Sequence, residues 1–315
     1  MSEPYIIQDV TDWPQIAWEQ MGTKRKFWCQ HPDGHRCLFK FSRSHAGEHW
    51  SEKIAAEVAG LLGLPHAEIE LATCQGGQGT ISRDFTSNRT LGSLVHGNEL
   101  LLEADPNYPS DGRNFRVAQH TLDRIISVLA QTFIGLPPGF APAVNIVTAT
   151  DVFIGYLLLD ALIANTDRHH ANWGILLRPS QGGIRQAWLA PTFDHASSLG
   201  RELTDARRQE KLRPLRRDQT IIGYLESDAG RSRIFAREED PKPLRPLEVF
   251  ERAWSLRPAP AEAWLERLHA VAWDPLADAV DRVPSITMTQ VAKDFARRLI
   301  ELNRESLLKR SFRYA

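Results

Sequence analysis

Ala161-Leu-Ile-Ala-Asn-Thr-Asp-Arg-His-His-Ala-Asn-Trp-Gly174 begins as the end of an apolar helix and ends as the start of a strand. The polar run between them cannot all be core. The helix is expected from Thr150 or Asp151 to Ala164, with apolar residues on nearly every face. Its longest apolar run, Tyr156 to Ala164, contains Asp160 and is far shorter than the ~20 residues of a membrane span. Asp167 and Asn172 stand five apart on the loop, and the strand Trp173 to Leu177 follows. Past Gly182-Gly183 a second short strand, Ala187 to Leu189, leads into Ala190-Pro191-Thr192-Phe193-Asp194. The pattern sets three oxygen-bearing side chains, Asp167, Asn172 and Asp194, at strand ends.

Upstream, the first 85 or so residues read as a small α/β unit. Lys26 to Gln30 and Arg36 to Phe41 are expected as strands joined by His31-Pro32-Asp33-Gly34-His35, where Pro restricts one dihedral and Gly supplies a positive φ. A helix from Glu48 to Leu62 follows, with Ile54, Val58, Leu61 and Leu62 as its apolar stripe. Gly63 ends it and Pro65 prevents its resumption. Ala67 to Thr73 and Thr80 to Phe85 read as strands around a loop at Gly76-Gly77-Gln78-Gly79. From Gly92 onward the pattern turns helical. Asp105 to Asn114 reads as a loop, and Gln119 to Phe133, Ala261 to Trp273 and Thr289 to Lys309 read as helices. The charge-rich stretch Arg201 to Arg217 is expected to be a solvated face or a flexible segment. The expected architecture is α+β and bilobal, with a small β-rich N-terminal lobe (1–88) and a mainly helical C-terminal lobe (89–315).

Composition is that of an ordinary globular protein, with 42% apolar and 24% charged residues. Lys and Arg number 38 against 39 acidic residues, so no global field favours nucleic acid or membrane. The three cysteines, Cys29, Cys37 and Cys74, cannot all pair with one another and fit small apolar residues in a reducing compartment. The N-terminus carries no basic segment leading into an apolar one, so the cytoplasm is the expected location.

Asp167, Asn172 and Asp194 are the set that phosphoryl transfer needs. One carboxylate orients the attacking hydroxyl and takes its proton, while an amide and a second carboxylate hold magnesium on the phosphates. The five-residue spacing is that of the catalytic loop of protein kinases. Lys40, near the end of a strand and followed by a helix carrying glutamates, suits the phosphate-contacting cation. Among Glu48, Glu52 and Glu57, Glu52 is its expected partner. Arg83-Asp84-Phe85 falls where the two lobes meet, a position from which the backbone of Arg83 and Phe85 would contact adenine. Two blander readings stand beside this one. Asp167, Arg168, His169 and His170 could cap the helix and form a surface salt bridge, or the histidines could ligate zinc with Asp167.

The segments Leu38-Phe39-Lys40-Phe41, Gly47-Glu48-His49-Trp50-Ser51-Glu52-Lys53, Ala164-Asn165-Thr166-Asp167-Arg168-His169-His170-Ala171-Asn172 and Leu189-Ala190-Pro191-Thr192-Phe193-Asp194 resemble HipA-like serine/threonine kinases. The likeness is to the shorter members without the large N-terminal extension, and it runs from about residue 20 to 200. It implies ATP and Mg2+ as ligands, Asp167 as catalytic base, Asn172 and Asp194 as metal ligands and Lys40 on the phosphates. His169 joins the catalytic set by supporting the loop. No Gly-x-Gly-x-x-Gly precedes Lys40, and Asp194 is followed by His195 and Ala196. The nearest phosphate loop is Met21 to Lys26, with Gly22 and Thr23, and relatives carry a phosphorylatable hydroxyl in that loop. Some relatives are toxins paired with a DNA-binding antitoxin and others are secreted effectors. The implied partners are therefore a protein substrate and an antitoxin-like inhibitor, with no direct nucleic-acid contact. A lipid or small-molecule kinase and a non-catalytic pseudokinase-like module are the alternatives.

Overall fold

The computed structural model describes residues 2–19, 25–44, 46–86, 92–109, 116–181, 184–214 and 216–311. Six N-terminal strands, β1 (Ile7–Asp9), β2 (Gln15–Trp18), β3 (Lys26–Gln30), β4 (Arg36–Phe41), β5 (Ile69–Cys74) and β6 (Gly77–Arg83), form one sheet in the order β1-β5-β6-β4-β3-β2. All neighbours are antiparallel except β1 with β5. Alternation along β3 and β4 puts Phe27, Cys29, Cys37 and Phe39 into a small core with Val10, Ala72, Cys74 and Ile81. The three thiols are unpaired and buried there. The opposite face of the sheet carries Lys40, Thr80 and Leu71, which lie in register across β4, β6 and β5.

That face receives α1 (Glu48–Leu61). Ile54, Val58 and Leu62 recur on its buried side with Ala55 and Ala59. Leu61, expected in the stripe, is 39% exposed instead, one position off the buried track. Gly63 ends the helix at φ +68°. The expected loop Gly76 to Gly79 shrinks to a two-residue turn, Gln75-Gly76, both at positive φ, and the strand resumes at Gly77. Gly79 pairs with Phe41 and Ala72 in that strand, and it must be glycine because a Cβ there would lie 2.2 Å from the carbonyl oxygen of Lys40.

The C-terminal part is built around α4 (Ala149–Ile163), every residue of which is buried. The N-cap Thr148 accepts from the backbone N–H of Asp151, whose carboxylate accepts in return from the N–H of Thr148. Packed on it are α7 (Pro246–Leu256), α8 (Pro258–Ala270) and α10 (Gln290–Ser311). A second sheet, in the order β7 (Ser93–His96), β9 (Gly174–Gln181), β10 (Ile184–Leu189), β8 (Ile134–Gly135), flanks the end of α4. One apolar core runs from Leu71 and α1 through α4 to α10.

The helix expected over Gln119 to Phe133 is shorter, α3 (Leu122–Leu129), because Thr121 caps it and Ile134 is taken into β8. The other helices are α2 (Gly97–Ala104), α5 (Asp205–Lys211), α6 (Arg217–Glu226) and α9 (Trp273–Asp281). The charge-rich Arg201 to Arg217 is not simply a solvated face. Arg208 is buried against Trp50 and donates to the carbonyl of Gly200, while Arg201 reaches Glu48 on α1 at 2.9 Å.

Candidate active site

The last turn of α4 breaks at Ala164, which adopts a left-handed conformation (φ 52°, ψ 49°). The loop that follows is held by its own polar groups. The amide of Asn165 donates to Asp160 Oδ1 at 2.8 Å, and its oxygen accepts from the backbone N–H of Asp167. Asn172 Nδ2 donates to the carbonyl of Asp167 at 2.8 Å, which leaves the amide oxygen as the atom Asn172 has to offer. His169 is tied in from both sides: its N–H donates to the Asp167 carbonyl, its carbonyl accepts from Asn172 N–H, and Nδ1 accepts from Ala171 N–H. Burial depresses the His169 pKa against the opposing pull of Asp167 and Asp194, so the ring is neutral and lies within reach of both carboxylates' fields.

Arg168, a surface residue in the blander reading, is the buried hub at 1% exposure. Its Nε and Nη2 make a two-pronged pair with Asp160 at 2.7 and 2.8 Å, and Nη1 donates to the carbonyl of Asn172 at 2.7 Å. Nη2 also reaches Thr192 Oγ1 at 3.0 Å and His195 Nε2 at 3.2 Å. This one guanidinium therefore joins α4, the Asp167–Asn172 loop and the segment after β10. His195 accepts from it and must stay uncharged; burial first and Arg168 second hold its pKa well below the usual range.

Asp194 follows that segment at φ 57°, a conformation that aspartate tolerates better than most residues. Its carboxylate is 35% exposed and lies 3.7 Å from Lys40 Nζ. Lys40 Nζ is also 3.3 Å from Glu52 Oε1 on α1. Burial alone would lower the lysine's pKa, but the carboxylates of Asp194 and Glu52 outweigh it and raise the value, so Lys40 is a cation throughout the physiological range. Glu48 and Glu57, the other candidates, face Arg201 and Lys53.

The remaining expected residues divide. Phe85 packs against Phe193, the neighbour of Asp194, with ring centroids 5.9 Å apart. Arg83 is carried at the end of β6, and its side chain turns to the surface beside Glu68 at 3.6 Å, away from Lys40. Gly22 and Thr23 lie outside the described residues. His169 and His170 stand at 88° to each other with centroids 6.3 Å apart. His170 faces Tyr108 and His120, which separates the two rings as zinc ligands.

Two features escaped the sequence reading. Asp160 was visible as a lone carboxylate in an apolar helix, a position that requires a cationic partner, and Arg168 supplies it. Arg233 left no such signal. Its Nε donates to Asp167 Oδ1 at 3.1 Å from a segment far along the chain. His120 places that segment. Trp173 Nε1–H donates to His120 Nε2, so Nδ1 carries the proton and donates to the Arg233 carbonyl at 2.9 Å.

No protein-family model matches the sequence, and no curated protein is similar to it by sequence. Solved structures do match. The proinflammatory kinase CtkA of Helicobacter pylori superposes with a TM-score of 0.74 at 19% identity, over 97% of this chain and 96% of that one. HipA of Shewanella oneidensis MR-1, solved with HipB and operator DNA, superposes with a TM-score of 0.55 at 12% identity. There the match covers 94% of this chain but 65% of HipA. With a β-sheet N-terminal region, a helical C-terminal region and these two likenesses, the chain has the fold of a HipA-like kinase.

Proposed function

We propose that the protein is an ATP-dependent phosphotransferase, a serine/threonine protein kinase, with residues 1–88 as its ATP-binding lobe and 89–315 as its catalytic lobe. The observation that carries this reading is the convergence on Lys40. A strand lysine, a helix glutamate and a loop aspartate from distant parts of the chain meet within 3.3 and 3.7 Å. That is the arrangement by which a kinase holds its phosphates.

The donor set fits magnesium. Asn172 offers an amide oxygen and Asp194 a partly exposed carboxylate, both hard ligands of the kind magnesium prefers. Bound there, Mg2+ would screen the phosphate charge. Lys40 holds the phosphates as a fixed cation, and Glu52 keeps the ammonium in place. Asp167 accepts the proton of the substrate hydroxyl as that oxygen bonds to the γ-phosphorus of ATP and ADP departs. Arg233 occupies Oδ1 of Asp167 and so fixes the carboxylate's rotation, presenting Oδ2 to the hydroxyl.

The test is phosphoryl transfer by wild type beside Asp167→Ala, followed by phosphoproteomics after brief induction of each. The variant should lose about 10²–10⁴-fold in turnover while keeping ATP affinity. Activity within about threefold of wild type removes Asp167 from the mechanism, since a positioned base contributes far more than that. Labelling confined to lipid or a small molecule refutes the protein-kinase reading. By likeness to the HipA complex, a neighbouring inhibitory protein is the partner proposed for this chain, and co-purification from the native host tests it.

A further inference from the structure

The hairpin between β3 and β4 turns through His31-Pro32-Asp33-Gly34-His35. Two backbone bonds close it, His31 N–H to the His35 carbonyl at 2.9 Å and Gly34 N–H to the His31 carbonyl at 2.8 Å. Gly34 sits at φ +87°, and the strands pair in register from Gln30 opposite Arg36. On this rigid turn the two imidazoles stack, with centroids 4.2 Å apart and planes at 15°. The Asp33 carboxylate lies 3.3 Å from His31 Nδ1. One ligand-type atom from each of the three residues lies within 4.8 Å of the other two, the sole such grouping among the described residues. Trp13 packs edge-on against His31 and limits how far that ring can swing.

We propose that His31, Asp33 and His35 bind one divalent transition-metal ion of the zinc class. The two imidazole nitrogens are borderline donors that select zinc, nickel or copper over magnesium, and the one carboxylate oxygen is a donor zinc also accepts. With bonds of about 2.0–2.1 Å, a tetrahedral zinc separates its ligand atoms by roughly 3.3–3.4 Å. His31 Nδ1 and Asp33 Oδ2 stand at that separation already, and the His35 ligand atom lies within 4.8 Å of the other donors, so its ring must turn out of the stack to reach the ion. Opposing this, His31 Nδ1 accepts a hydrogen bond from Asp33 N–H at 3.1 Å, which metal binding must displace. Asp33 is also 78% exposed, so water completes the coordination and the site is weaker than a closed structural one. The site is separate from Lys40, which lies near the other end of β4.

The full chain would be titrated with zinc chloride by calorimetry in excess Mg2+, which keeps oxygen-donor sites occupied. One zinc per chain is expected. The double variant His31→Gln/His35→Gln, with an unchanged circular-dichroism spectrum, should lose affinity by roughly tenfold or more. Copper-loaded wild type gives a second readout independent of any variant, since its paramagnetic resonance should show coupling to two imidazole nitrogens. Equal affinity in the double variant, no zinc binding below about 100 µM, or copper coupled to fewer than two nitrogens would each overturn the site.

Discussion

Removing both members of the Arg168–Asp160 pair should cost clearly less than the sum of removing each alone. Arg168 is 1% exposed and donates to Asp160 through two nitrogens, so Asp160→Leu leaves a guanidinium in the interior facing only neutral acceptors. Breaking a buried pair in this way costs about 3–5 kcal/mol. For 315 residues the unfolding entropy near the midpoint is about 0.66 kcal/mol/K, so the loss corresponds to a fall in Tm of roughly 5–8 °C. Arg168→Met should lose a similar amount, because it strips the buried Asp160 carboxylate of its cation and leaves it the neutral Asn165 amide as donor. In the double variant both charges are gone and the cavity is filled by apolar atoms of similar volume. The two effects should then fall short of additivity by about 3 kcal/mol. Urea denaturation of wild type, both single variants and the double variant measures the cycle. If Asp160→Leu lay within about 1 kcal/mol of wild type, or if the double variant lost the full sum, Arg168 would not be a buried hub paired with Asp160.

Three further outcomes follow from the site. Asp194→Asn should weaken Mg2+-dependent ATP binding, read as a smaller thermal shift with ATP in the presence of magnesium; a full shift in the variant would exclude Asp194 as a metal ligand. Arg233→Ala should lower kcat by about 10- to 100-fold with the KM for ATP unchanged, and Arg233→Lys should restore part of it, since the loss is one of carboxylate orientation; a change in KM alone would place Arg233 in binding. Burial holds His120 at about 3 and His49 at about 4, below the ordinary 6.5. Their folded pKa values are depressed, so the unfolded chain binds more protons below pH 6.5. Stability is therefore full above that pH and declines as pH falls toward 4 and 3. His120→Gln should flatten the slope of unfolding free energy against pH in that window; an unchanged slope would mean His120 is not buried neutral.

The parts of the fold legible in the sequence are those written in local periodicity. The strands around His31–His35 and the helix after Gly47 depend on alternation, turn chemistry and a helix stop within a few residues of themselves. The short edge strands β1 and β2 were not legible, because three or four residues without alternation carry no period, and what makes them strands is the neighbour they pair with. Helices α6, α7 and α9 were missed where Pro, Arg and Asp interrupt the apolar pattern. In the candidate site, the spacing of Asp167 and Asn172 is local and could be read. The Lys40–Glu52 pair could be read from the order of strand and helix, but Asp194 reaches Lys40 through tertiary packing that no local pattern records. Arg233 had neither a local pattern nor a motif to mark it.

The charges of the site bear on how an anionic nucleotide could enter it. Four carboxylates, Glu52, Asp160, Asp167 and Asp194, face three cations, Lys40, Arg168 and Arg233. Asp160 and Arg168 neutralise each other deep in the core, and Asp167 and Arg233 do so at its edge. The surplus negative charge therefore falls on the Lys40 group, where one ammonium serves both Glu52 and the partly exposed Asp194. A triphosphate approaching Lys40 meets the Asp194 carboxylate within 4 Å of the same ammonium. Attraction and repulsion at that point nearly cancel unless a cation accompanies the phosphates. ATP without magnesium is accordingly expected to bind weakly, and Asp194→Asn should narrow the gap between ATP and Mg-ATP from both sides, strengthening the first while weakening the second. Calorimetric titration of wild type and variant with each form separates the two effects. If the variant weakened both forms equally, Asp194 would serve to position Lys40, and the surplus charge would have no part in nucleotide selection.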